Sequence, residues 1–69
     1  MPKFNVGDRV ERVGSLIPQY MQIGIITRII LNEDGVEMFT EYEVNFGNHL
    51  IALFYETQLR LVNVAAHNN

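Results

Sequence analysis

Few side chains in this 69-residue chain could do chemistry, and their spacing is informative. Glu41 and Glu43 stand two apart, which on a strand places both carboxylates on one face. Paired carboxylates can share general acid and base work, but alternating glutamates are also the ordinary way to solvate a strand. His49 follows Gly47-Asn48 and reads as a solvated or capping residue at a turn, not a ligand or base. Arg12 and Arg28 read as surface ion-pair partners more than as anion clamps. The chain has no cysteine, so it offers neither a thiolate nucleophile nor a disulfide. His49 and His67 are too few for a histidine zinc site without carboxylate help. No phosphate-cradling glycine loop and no Ser-His-Asp arrangement occurs. The expectation is no catalytic residue, no metal and no cofactor.

Charge narrows the partners. Eight acidic and five basic residues give a net charge of −3. Lys3, Arg9, Arg12, Arg28 and Arg60 are scattered, whereas a phosphate-binding surface needs clustered cations that displace counterions. No apolar run approaches the ~18 residues of a membrane span, and the first ten residues lack an apolar signal region. No membrane partner and a cytoplasmic location are therefore expected.

The elements that must position these residues are strands. "DRVERV" reads as a first strand, followed by the long loop "GSLIPQYM". "QIGIITRIILN" is crowded with isoleucine, whose branched Cβ suits a pleated sheet. Asp34-Gly35 is a two-residue hairpin signal, and "VEMFTEYEVNF" then alternates almost strictly. Gly47-Asn48 predicts a second tight turn into "HLIALFY". "ETQ" is too short for an α-helix and reads as a 3-10 turn before a last strand, "LRLV". One domain over residues 1–63 with a flexible tail at 64–69 is expected.

The two turns fix a predicted register. It sets Arg28 opposite Glu41, Val44 opposite Ile51 and Tyr42 opposite Leu53. One face then collects Ile23, Ile25, Ile29, Leu31, Met38, Tyr42, Val44, Phe46, Ile51 and Leu53 as the core. The other face carries Ile26, Ile30, Phe39, Leu50, Ala52 and Phe54, a patch larger than the scattered apolar exposure of ordinary surfaces. That patch is the expected interface, with a second copy of the chain as the first partner; a different protein, or Phe4 or the "NVAA" tail of the same chain, are the other covers it allows. Tyr20 and Met21, in the unusually apolar first loop, mark a second place for a protein partner.

Taken together, "VGDRVERVG", "GIITRI", "YEVNF" and "YETQLRLV" resemble SH3-like small barrels over nearly the whole chain. The resemblance implies an all-β, five-stranded SH3-like barrel with a 3-10 turn before the last strand. Through the first two of these stretches it also resembles transcription and ribosomal barrels, which would imply nucleic-acid binding. The loops here hold Glu33, Asp34 and Glu37 instead of the basic residues such binding uses.

A more distant similarity, through "GDRV" and overall layout, is to the type II dihydrofolate reductases. That family implies a homotetramer around a central pore, NADPH as cofactor and Tyr55 in the pore lining, and it places a lysine shortly after "GDRV" where Arg12 stands here, keeping the charge but not the identity. Its Val-Gln-Ile-Tyr stretch reads Ala52-Leu53-Phe54-Tyr55 here, and Leu53 has no amide to orient a heterocycle. The reading that emerges is a non-catalytic, self-associating interaction module.

Overall fold

Every strand sends at least one side chain into a single buried cluster. The structure is a computed structural model and describes residues 1–62. Its strands are β1 (Arg9–Arg12), β2 (Ile23–Ile30), β3 (Glu41–Asn45), β4 (Ile51–Tyr55) and β5 (Leu59–Leu61). They form one antiparallel sheet in the order β4-β3-β2-β1-β5. Val10, Ile26, Tyr42, Val44, Phe54 and Leu59 meet in its core with Phe4. Six buried residues drawn from five strands can touch only if the sheet curls around them. The all-β, five-stranded architecture matches the sequence expectation, and so does the 3-10 turn Glu56–Gln58 ahead of the last strand. The expected tail at 64–69, His67 included, lies outside the described residues.

Phe4 closes one end of the core. Its ring meets Tyr42 edge-on at 5.2 Å, and the Lys3 backbone N–H donates to the Tyr42 hydroxyl at 2.8 Å. The buried phenol thereby satisfies its polar tip while its ring adds apolar area. Gly24 permits close approach at the centre of the sheet. A Cβ there would stand 2.6 Å from Val44 Cγ1 and 2.7 Å from the Asn45 carbonyl oxygen.

Two local features displace the predicted register. The first is a β-bulge: β2 pairs Ile26 with Val44, then Arg28 with Glu43, so Thr27 is the extra residue. Strict alternation would have forced a choice between burying Ile26 and burying Ile29, with Arg28 following Ile26 inward. The bulge sends Ile26 and Ile29 toward the core and keeps Arg28 outside, where its Nη2 lies 3.2 Å from Glu43 Oε2. The Thr27 hydroxyl secures the bulge by donating to Glu43 Oε1 at 2.9 Å. Arg28 therefore faces Glu43 and not Glu41.

The second feature lies between β2 and β3. Asp34-Gly35 does turn the chain, but the Asn32 side chain organises it by accepting from the N–H groups of Asp34 and Val36. An Asx-type turn of this kind competes with a two-residue hairpin. The 3-10 turn Glu37–Phe39 follows, so Met38 stays on the surface and β3 begins only at Glu41.

Candidate functional site

The loop between β3 and β4 decides which way β4 faces. Gly47, Asn48 and His49 have φ values of 100°, 51° and 65°, three left-handed residues in a row. The Phe46 N–H donates to the Leu50 carbonyl at 2.9 Å, so three residues turn the chain where two were predicted. One extra residue moves every later side chain to the opposite face. Tyr42 accordingly pairs with Phe54 and Val44 with Ala52.

The predicted interface is divided by this shift. Ile26 and Phe54 are buried in the core, and Ala52 packs against it. Leu50 is half-buried where the turn ends, and Ile30 is half-buried opposite Glu41. Phe39 alone of the six remains well exposed, with its ring edge-on to Tyr55 at 6.1 Å. The assigned core changes in the same way. Tyr42 and Val44 are buried and Ile29 and Phe46 pack against the core, while Ile23, Ile25, Leu31, Met38, Ile51 and Leu53 lie at the surface.

A different apolar face replaces the expected one. Along β4, Ile51, Leu53 and Tyr55 point outward and are 51%, 45% and 43% exposed. Asn45 stands between Ile51 and Ile25 in one cross-strand row. Glu43 stands between Leu53 and Arg28 in the next, and Glu41 between Tyr55 and Ile30 in the third. Beyond Ile25 the row ends on Arg9 of β1. The face is thus an apolar strip on β4, a polar strip on β3 and a mixed strip on β2. Its Glu43 charge is met by Arg28, and its far corner is a hollow of ≈ 490 Å³ walled by Ile30, Phe39, Glu41 and Tyr55. Nothing in "IALFY" distinguishes its two faces, because both are apolar. The strip is marked in the sequence only by the length of the turn before it.

The remaining candidates are spread over the surface. His49 is exposed in the turn. Arg12 lies over the Phe54 ring at 4.9 Å, a cation–π contact that ties its charge to the core wall of β4. Tyr55, the last residue of β4, faces outward against Phe39, whereas Arg12 stacks on the inward-facing Phe54 beside it. Tyr20 and Met21 belong to the 3-10 turn Gln19–Met21, in which no residue is buried. Glu11 pairs with Arg60 at 2.7 Å across β1 and β5. Among the described residues, no three His, Asp or Glu side chains gather as a metal site would require. No helix among them is long and apolar enough to cross a membrane. Comparison with protein-family models, curated proteins and solved structures finds no match for this chain.

Proposed function

We propose that the chain is a small interaction module, and that the partner it meets first is a second copy of itself. The observation that carries this reading is the outward strip Ile51, Leu53 and Tyr55. Three large apolar side chains follow one another along a strand that holds no charged residue, each about half exposed. Phe39 extends the strip at one end and Ile25 lies across the sheet at the other. Burying such a strip in an interface removes apolar surface from water, at roughly 25 cal/mol per Å². A domain this short also gains in stability by assembling, since its own core is small.

Light scattering over a range of concentrations tests the proposal. The mass of the natural chain should exceed that of one copy and rise with concentration. Ile51→Glu and Leu53→Glu should each return it toward the monomer, with an unchanged circular dichroism spectrum. A monomer at every concentration, or an unchanged assembly in both variants, would remove the case for this face.

A further inference from the structure

We infer that two copies of this chain join edge to edge through β4, antiparallel about a twofold axis at Ala52, to make one continuous sheet. This deepens the self-association reading and rests on it. β4 is the last strand of the sheet on its side, with β3 as its sole neighbour among the described strands. In an antiparallel ladder, residues alternate between those bonded to the neighbour and those directed away from it. The Phe46-to-Leu50 bond sets the phase. Ala52 and Phe54 consequently bond to Val44 and Tyr42 on β3. The backbone groups of Ile51, Leu53 and Tyr55 point to the open side.

Tyr55 is already provided for. Its N–H donates to Gln58 Oε1 at 2.9 Å, and its C=O heads the i→i+3 ladder of the Glu56–Gln58 turn. The N–H and C=O of Ile51 and of Leu53 are left without a partner among the described residues. These four groups lie symmetrically about Ala52.

A second copy matches that arrangement bond for bond. With Ala52 opposite its own counterpart, Ile51 exchanges both of its backbone bonds with Leu53 of the other copy, and Leu53 does the same with Ile51. Every group that β4 leaves open is used once and Tyr55 is left undisturbed. On the outer face each Ile51 side chain comes to lie beside a Leu53 of the other copy. On the inner face the closest approach falls between the two Ala52 residues, a non-hydrogen-bonded pair with Cα atoms ~4.5 Å apart, where a small side chain fits.

Charge favours the same occupant. Ile51 to Tyr55 is neutral, so two copies meet there without opposing like charges despite a net charge of −3 each. The other end of the sheet lacks this openness. β5 is three residues long with Arg60 at its middle, and the Leu59 N–H is already bonded to the Glu56 carbonyl. Short, charged edges of that kind discourage strand addition, and β4 carries no such guard.

The test is nuclear magnetic resonance on an equimolar mixture of isotope-labelled and unlabelled full-length chain, with light scattering on the same sample. The expected result is a dimer with an intermolecular Hα–Hα contact between the two Ala52 residues. The amides of Ile51 and Leu53 should exchange with solvent slower by roughly tenfold or more at high concentration than at low. A dimer without that contact, whose Ile51 and Leu53 amides exchange equally fast at all concentrations, overturns the edge pairing and leaves association through the face standing. A monomer whose Ile51 and Leu53 amides are protected at every concentration places the chain's own remaining residues on the edge and overturns the pairing. A monomer with fast amides overturns both.

Discussion

Phe54 and Leu53 are adjacent, and the three-residue turn makes them opposites. Phe54 is only 7% exposed, with its ring edge-on to Phe46 at 5.8 Å and under the Arg12 guanidinium at 4.9 Å. Truncating such a ring to alanine removes its transfer free energy and leaves a cavity, a combined loss of about 3–5 kcal/mol. Leu53 is 45% exposed, so Leu53→Ala forfeits roughly half the ~1.5–3 kcal/mol of full burial, or about 1 kcal/mol. A 69-residue domain at ~0.05–0.15 kcal/mol per residue holds only about 3–10 kcal/mol in total. Phe54→Ala should therefore bring the protein close to unfolding at room temperature, while Leu53→Ala leaves it folded. Urea titration followed by circular dichroism reads the difference. Low protein concentration keeps association through β4 out of the comparison, and Phe54→Leu supplies a milder variant. A Leu53→Ala loss equal to or greater than that of Phe54→Ala would refute the three-residue turn and return β4 to the opposite register.

Two further substitutions examine the backbone. Gly24→Ala sets a methyl group 2.6 Å from Val44 Cγ1 and 2.7 Å from the Asn45 carbonyl oxygen, and the carbonyl cannot yield as a flexible side chain would. A loss of about 1–3 kcal/mol is expected by thermal or urea unfolding, and a neutral result would show that β2 and β3 stand farther apart there. His49→Gly should raise stability by up to ~1 kcal/mol, because glycine tolerates the φ of 65° that costs histidine strain, less glycine's larger loss of chain entropy. A clear destabilisation would mean that the imidazole is held by something more than its turn.

The number of strands, their sequence and the 3-10 turn were legible because each depends on a pattern spread over several residues. Isoleucine-rich β2, the alternation of Tyr42 and Val44 with glutamates, and the brevity of "ETQ" all read correctly. The site was less legible because it depends on single residues. One additional residue in the Gly47–His49 turn exchanged Phe54 for Leu53 at the surface, and both choices satisfy hydrophobic patterning in a strand apolar on both faces. The bulge at Thr27 did the same for Ile26. Arg28 offered no warning, since a glutamate faces it in either register. Asn32 was the informative residue between β2 and β3, through a side chain that accepts from two backbone N–H groups. Its influence on the length of that connection is written in hydrogen bonds and not in hydropathy.

The pairing of Val10 with Leu61 has a consequence for how the chain comes to be folded. β2, β3 and β4 are joined through nearby residues, whereas β1 receives its second neighbour only from the far end of the chain. Closing that interval costs ~2 kcal/mol more in chain entropy than closing the short β3–β4 loop. Loop closure alone therefore favours the meander ahead of the β1–β5 seam, and the expected folding time is the millisecond-to-second range typical of small β domains with such distant pairings. During synthesis the delay is longer still. With residues emerging at about 5–20 per second, β1 waits seconds for Leu61 to leave the ribosome before its open side can be covered. The sheet's final stitch is thus set by translation as much as by the physics of the finished fold.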